Sequence, residues 1–202
     1  MVEVGNRIWK LTFAPDLEPM IASVTTNEEL DQFPYGMALW PSAIGLAEYI
    51  FEQREFVSGR RILELGCGAG LAGLVGADVG GDVTQTDYLP DILTLTRHNA
   101  ASNGIQTRVE KLDWTEEYTG GAFDLIIGAD ILYERPLHHP LFKLFPKLIK
   151  PGGKIWISDP QRPASKNFFD KCDAAGWKTS VENRVVTWQG KTAEIVIYVL
   201  TW

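Results

Sequence analysis

The sequence is poor in the features that mark membrane, secreted and metal-binding proteins. Its two cysteines, Cys67 and Cys172, are far apart and match no spacing typical of a zinc site or a disulfide framework. The N-terminal residues Met1–Lys10 lack the charged and apolar regions of a secretory signal. The apolar runs are too short and too interrupted to span a bilayer. These absences favour the cytoplasm and predict neither a metal site nor a membrane partner.

Negative charge exceeds positive charge, with a formal net charge of −7, and Lys and Arg form no cluster along the chain. Proteins that bind nucleic acids in general present a basic face, so we expect a small molecule or a protein as the substrate and no nucleic acid. The chain contains seven tryptophans. Its length of 202 residues is enough for one domain with a substantial core. We expect a single domain over 1–202, with an N-terminal extension over 1–58 and a core over 59–202.

From Arg61 onward, short apolar strands alternate with segments of helical periodicity. This alternation is typical of the α/β class, in which a parallel sheet carries helices on both faces. The predicted strands cover 61–65, 82–87, 107–112, 123–130, 154–158, 180–187 and 193–201. The predicted helices cover 71–78, 89–100, 136–148 and 164–175.

Prolines, glycines and one short connection predict turns and a helix interruption. Pro146 should kink or shorten the helix that contains it, and Pro151–Gly153 predicts a turn before the next strand. The short Trp188–Lys191 connection predicts a hairpin, so the last strand should be antiparallel. In the first sixty residues we expect a hairpin at about Trp9–Thr26 and a helix that begins at Pro41.

The strongest chemical signal is the segment Glu64–Gly70 (ELGCGAG), which follows a predicted strand and precedes a predicted helix. Glycines in such a turn allow backbone amides and a ligand to approach without a Cβ in the way. The spacing Gly66, Gly68, Gly70 departs from the Gly-x-Gly-x-x-Gly fingerprint, because Leu71 occupies the third position. A dinucleotide fingerprint directs a helix N-terminus at a pyrophosphate, whereas a nucleoside without phosphate tolerates this wider loop.

Two acidic residues at later strand ends support a nucleoside ligand. Asp87 ends the second strand about 20 residues past the glycine loop, where a carboxylate can accept both ribose hydroxyls of NAD or of S-adenosylmethionine. Asp113 ends the third strand and can accept from the adenine amino group, while Trp114 can cover the ring. Either could also be an ordinary strand-end residue, but the three segments together favour binding.

Together, these three segments resemble the class I S-adenosylmethionine-dependent methyltransferases. The resemblance implies a Rossmann-like fold with a seven-stranded, mostly parallel sheet in the order 3-2-1-4-5-7-6, strand seven being antiparallel. It also implies helices on both faces and an N-terminal extension with a hairpin and a helix. The implied cofactor is S-adenosylmethionine, and the domain over 59–202 would bind it.

Two further segments narrow the resemblance. Gly36–Ala43 (GMALWPSA) and Phe123–Tyr133 (FDLIIGADILY) are similar to methyltransferase family sixteen, which contains many protein-lysine methyltransferases. That family carries an Asp-x-x-Tyr motif after the fourth strand, and Asp130–Tyr133 (DILY) matches it. Asp159–Arg162 (DPQR) departs from the Asp-Pro-Gly-Arg that is common in the family, so we assign it no role.

The resemblance implies which side chains form the site. Asp130 and Tyr133 would be the catalytic residues, at the end that receives the methyl acceptor. The residues implied at the cofactor are Trp40, Glu64, Gly66, Gly68, Gly70, Asp87, Asp113, Trp114 and Ala129. The acidic cluster of magnesium-dependent, catechol-type methyltransferases is absent from the sequence, so no metal is implied.

We therefore predict an N-methyltransferase whose acceptor is a protein lysine. Gly128–Tyr133 (GADILY) stands where enzymes that methylate amino groups of DNA and of some proteins carry Asn-Pro-Pro-Tyr. A small-molecule amine or heterocycle N-methyltransferase is the alternative enzyme. A cofactor-binding or scaffold protein without activity is a second alternative, and an NAD-dependent oxidoreductase is a third.

Overall fold

A computed structural model describes residues 1–26 and 33–202, so that 27–32 of the predicted N-terminal extension lie outside the described residues. The strands are β1 (Val2–Val4), β2 (Arg7–Trp9), β3 (Arg61–Leu65), β4 (Asp82–Asp87), β5 (Arg108–Lys111), β6 (Phe123–Ala129), β7 (Ile149–Asp159), β8 (Lys178–Trp188) and β9 (Lys191–Thr201). The helices are α1 (Glu18–Ile21), α2 (Pro41–Glu52), α3 (Arg54–Val57), α4 (Leu71–Asp78), α5 (Pro90–Ser102), α6 (Arg135–Leu148) and α7 (Pro163–Ala174). Within these ranges no helix is long and apolar enough to cross a bilayer.

Seven strands form one sheet in the order β5-β4-β3-β6-β7-β9-β8. Counted from β3 as the first strand, this order is 3-2-1-4-5-7-6, and β9 runs antiparallel to both of its neighbours. The predicted topology is therefore confirmed. Because β3, β4, β5, β6 and β7 are parallel, their carboxyl ends meet at one edge of the sheet, where ligands of open α/β folds bind.

The central strands β3, β6 and β7 are buried on both faces, which explains why they are largely apolar. On one face, Ile62 packs with Leu74 of α4 and Leu46 of α2. On the other face, Leu63 belongs to a second cluster that includes Phe168 of α7. Successive residues of β3 thus enter opposite cores, and this places the end of β3 between two packed layers.

The hairpin expected at Trp9–Thr26 is wrong in position. The structure pairs β1 with β2, in the register Val2 opposite Trp9, and the following stretch contains the short helix α1 instead. The cause is the alternation of buried Val2, Val4 and Trp9 around a turn that begins at Gly5, whose φ is +63°. Apolar alternation on both sides of a Gly-Asn pair is a hairpin signal that the sequence interpretation overlooked.

The expectations for the turns have different outcomes. α6 continues past Pro146 to Leu148, so this proline does not shorten the helix, and a kink at Pro146 stays a prediction. The turn expected at Pro151–Gly153 lies inside β7 as an irregularity in its pairing with β6. The last hairpin is confirmed: Gln189 and Gly190 both have positive φ, as its two-residue turn requires.

Candidate active site

The glycine loop joins β3 to α4 at the carboxyl edge of the sheet. Gly66, Gly68 and Gly70 all have positive φ, at +61°, +53° and +87°. The backbone of Gly36 approaches Gly68 so closely that a Cβ on Gly68 would lie 3.1 Å from the Gly36 carbonyl oxygen. The short 3-10 turn Tyr35–Met37 is thereby packed directly onto the loop. The N-terminal extension therefore forms one wall of the site.

Glu64 lies beneath this loop, near the end of β3, and is almost fully buried. Its Oε2 accepts a hydrogen bond from Gln85 Nε2 at 2.6 Å, and Gln85 Nε2 also donates to the carbonyl oxygen of Gly70 at 2.9 Å. Burial raises the pKa of the Glu64 carboxyl to about 7, against hydrogen bonds from Gln85 and the Gly73 amide that lower it. The contacts thus connect Glu64 to the loop, and its role toward the cofactor stays a prediction.

Replacing Glu64 with glutamine should change how stability depends on pH. Because the folded-state pKa lies above 4.5, the ordinary value for a glutamate, the folded protein retains the Glu64 proton more strongly than the unfolded chain does. That contribution to stability is present below pH 4.5 and is lost as the pH rises through about 7. Glutamine resembles the protonated acid and does not titrate.

Relative to wild type, Glu64→Gln should therefore become progressively more stable as the pH rises across this window. Urea unfolding of the cofactor-free protein at several pH values measures the effect. A difference in unfolding free energy that is constant with pH would mean that Glu64 has an ordinary titration in the folded protein.

Asp87 ends β4 opposite the glycine loop and retains capacity to accept hydrogen bonds. Its Oδ2 accepts from the Gly68 amide at 3.4 Å and its Oδ1 accepts from the Leu89 amide at 3.2 Å. Both bonds are long, and a carboxylate offers about four lone-pair positions. Burial raises the pKa of the Asp87 carboxyl, which means that further donors would stabilise its charged form. The two hydroxyls of a ribose can supply these donors.

Asp113 and Trp114 follow β5 and form the next part of this edge. Oδ1 of Asp113 accepts from the amide and the hydroxyl of Thr115, at 2.9 and 2.7 Å, which fixes the carboxylate in a local turn. The indole of Trp114 lies against the glycine loop, because a Cβ on Gly66 would be 3.4 Å from its ring. A half-buried carboxylate beside an aromatic ring suits an adenine base. The residues present therefore fit the nucleoside part of S-adenosylmethionine.

Asp130, which the sequence interpretation assigns to the acceptor end, directly follows β6 and is buried. Ala129 pairs with Ser158 across the sheet, and the Asp130 amide donates to the Ser158 carbonyl oxygen at 2.8 Å. Asp130 has a φ of +55°, a left-handed conformation that a non-glycine residue adopts at a cost. Such strained residues concentrate at functional sites, and here the conformation immediately follows the end of the strand.

Arg162 is the site residue that the sequence interpretation missed. Its Nε and Nη2 donate to Oδ1 and Oδ2 of Asp130, at 2.6 and 2.8 Å, so that both carboxylate oxygens are bonded. Asp130 belongs to the end of β6 and Arg162 follows β7, the neighbouring parallel strand. A usable signal existed, because residues that follow adjacent strands of a parallel sheet meet at the same edge.

Three aromatic side chains form a connected group, and one of them, Tyr133, interacts electrostatically with Arg162. Tyr133 is 36% exposed, and its ring meets that of Tyr35 edge to face with centroids 5.6 Å apart. Trp40 is also partly exposed, and its Nε1 donates to the Tyr35 carbonyl oxygen at 3.0 Å. Burial, with nearby negative charge including that of Glu134, raises the pKa of the Tyr133 hydroxyl. The Tyr133 hydroxyl is therefore protonated at neutral pH.

Comparison with known proteins decides the family. A family model described as "lysine methyltransferase" matches residues 21–175. The chain belongs to this family. The family assignment agrees with the enzyme class and the cofactor that the sequence predicts. The fold agrees with that of magnesium protoporphyrin IX methyltransferase from Synechocystis PCC 6803, solved with bound S-adenosylmethionine. The TM-score is 0.58 at 14% identity, over 92% of this chain and 98% of that one.

The family's relatives differ in the residue that they modify. EEF1A lysine methyltransferase 3 of Mus musculus is 35% identical over 65% of this chain. Histone-arginine methyltransferase METTL23 of Rattus norvegicus is 30% identical over 59% of this chain. A further relative, from Dictyostelium discoideum, is named as a histidine protein methyltransferase homolog. This chain covers 59% of the mouse protein and 56% of the rat protein, less than two thirds of either.

Replacing Asp87 with alanine should weaken S-adenosylmethionine binding by about 1.5–3 kcal/mol, the range for hydrogen bonds to a charged group. The expected cause is the loss of the acceptor for the ribose hydroxyls. Calorimetric titration with the cofactor measures the effect, and a melting curve of the same sample shows that the variant is folded. An unchanged affinity in a folded variant would exclude Asp87 from the binding site.

Proposed function

We propose that this chain transfers a methyl group from S-adenosylmethionine to a nitrogen atom of a protein, and that the acceptor is the side chain of a lysine. The observation that carries the proposal is Asp130, a buried carboxylate after β6, beside the strand that leads into the glycine loop. A carboxylate at this position can bind and orient an amine. The family description supports lysine as the acceptor.

The cofactor supplies an electrophilic methyl group when it is bound. In the proposed arrangement Asp87 accepts from the ribose hydroxyls, while Asp113 and Trp114 contact the adenine. Glu64, Gly66, Gly68 and Gly70 hold the methionyl part, and Trp40 and Ala129 border the cofactor. The arrangement is supported by the long amide contacts of Asp87 and by the positive φ of the three glycines.

Methyl transfer of this kind is a direct displacement, so the chain contributes mainly by positioning the acceptor. A lysine amine has a pKa of about 10.4 in water and must lose a proton before it attacks. Asp130 then orients the neutral amine and stabilises the positive charge that develops on nitrogen. Tyr133 follows Asp130 by three residues and its ring contacts that of Tyr35, so these rings would add favourable contacts to the developing cation.

Amino-acid analysis of the labelled product tests this proposal. The purified chain is incubated with lysate from its source cell and radiolabelled S-adenosylmethionine, and labelled protein is separated from small molecules before hydrolysis. We expect label in protein as methyllysine, and the Asp87→Ala variant provides the matched control. Methylarginine or methylhistidine would overturn the lysine assignment, and label confined to small molecules would favour the alternative enzyme. Cofactor binding without any transfer would instead indicate a scaffold protein.

A further inference from the structure

We propose that Arg162 is a positioning residue of the acceptor site, which aims the Asp130 carboxylate and disfavours binding of the acceptor nitrogen in its protonated form. The proposal rests on the proposed function, because it requires an amine acceptor at Asp130. It assigns a role to a segment for which the sequence alone indicates none.

The geometry of the pair is that of a bidentate clamp. Two nitrogens of one planar guanidinium bond two oxygens of one carboxylate, a contact that fixes the plane and the direction of both groups. The Asp130 side chain is 7% exposed, whereas that of Arg162 is 37% exposed. The carboxylate is therefore fixed from one side, and only its remaining lone pairs are available to an acceptor nitrogen.

Arg162 is itself held in place by the backbone after β7. Its amide donates to Oδ1 of Asp159 at 2.7 Å, and Oδ2 of Asp159 accepts from the hydroxyl of Ser165. Asp159 and Ser165 are completely buried, and Gln161, between them, has a φ of +61°. A loosely held surface arginine would not require a buried carboxylate and a left-handed residue beside it. The segment is built to present the guanidinium to Asp130.

The charge of Arg162 determines which form of the acceptor the site binds. A lone buried carboxylate attracts an ammonium and so keeps it protonated, which opposes methyl transfer. With Arg162 bonded, the pair is formally neutral, and its positive half repels a second cation. The other titratable groups that face this region from neighbouring elements are Tyr35, Asp87, Tyr88, Tyr133, Glu134 and Asp159.

The test is the pH dependence of the methyl-transfer rate, with heat-treated lysate protein as the acceptor. In Arg162→Ala the limb on which the rate rises with pH should move up by about one unit, the scale of a neighbouring charge. The rate at pH 7 should then fall roughly 10-fold and recover at higher pH. Arg162→Lys retains the positive charge but loses the bidentate geometry of the guanidinium. The rising limb of its pH–rate profile should therefore stay at the wild-type pH, while the maximal rate falls. Asp130→Asn should move the limb in the opposite direction.

A binding measurement gives a second readout without catalysis. The probe is n-butylamine, added to the complex with S-adenosylhomocysteine, and calorimetry in two buffers counts the protons released. Wild type should release more protons than Arg162→Ala, while the affinity for S-adenosylmethionine stays close to wild type and a melting curve shows that the variant is folded. An unshifted limb and equal proton release in Arg162→Ala, with Asp130→Asn still impaired, would overturn this inference alone. A fully active Asp130→Asn enzyme would also remove the proposed acceptor site.

Discussion

Replacing Asp130 with asparagine is expected to lower the rate of methyl transfer by roughly 10² or more, the scale for losing one preorganised electrostatic contact. The affinity for S-adenosylmethionine should stay nearly unchanged, because Asp87 and Asp113, the proposed nucleoside contacts, lie at or after the ends of other strands. Asparagine has the same shape as aspartate and still offers Arg162 one oxygen. The change therefore removes the negative charge with little loss of packing.

Tyr133→Phe is the matched control for this experiment. It keeps the ring that contacts Tyr35 and removes only the hydroxyl, so its rate should fall less than that of Asp130→Asn. Initial rates, cofactor titrations and melting curves on the same protein batches separate the two explanations. If Asp130 serves only the structure, a loss of melting temperature or of cofactor binding will account for all of the lost activity. A folded Asp130→Asn enzyme with the wild-type rate would contradict the acceptor-site assignment.

The sheet was predictable because each of its strands carries a local signal. The alternation of strands and helices indicates the α/β class, and the family resemblance supplies the strand order, which the structure confirms. The N-terminal hairpin was placed too late because the correct one uses strands of only three residues. Strands so short offer little periodicity, so the Gly5 turn was the decisive signal and it was not used.

The candidate site likewise contains residues that the sequence indicates and residues that it does not. Asp87 and Asp113 end or follow strands, a feature visible within a few residues of sequence, whereas the site role of Asp130 is implied by the family resemblance. Arg162 and Tyr35 depend on contacts between distant segments: Arg162 lies 32 residues beyond Asp130, and Tyr35 packs beside the glycine loop through the Gly36–Gly68 approach. Such pairings follow from strand order and loop path, which spacing along the chain does not encode.

Replacing Gly73 with alanine should lower stability by about 3 kcal/mol, although alanine is favoured over glycine inside a helix by about 1 kcal/mol. A Cβ at this position in α4 would lie 2.3 Å from Glu64 Oε2 and 2.5 Å from Gln85 Nε2. These atoms cannot move freely, because Gln85 also bonds Gly70 and Thr107. Overpacking typically costs about 1–3 kcal/mol, and a broken buried hydrogen bond costs about as much again.

Gly76→Ala, in the same helix, is the control for that prediction. Its Cβ would lie 3.4 Å from Val83 Cγ2, an ordinary contact, so helix propensity should dominate and the melting temperature should hold or rise. For Gly73→Ala the expected loss corresponds to a fall of roughly 6–12 °C in Tm. Cofactor affinity should fall with it, because Gln85 bonds the loop at Gly70. Equal melting temperatures for the two variants would mean that the Glu64 and Gln85 side chains rearrange around the added methyl group without loss of stability. The close packing beneath the loop would then not restrict the size of residue 73.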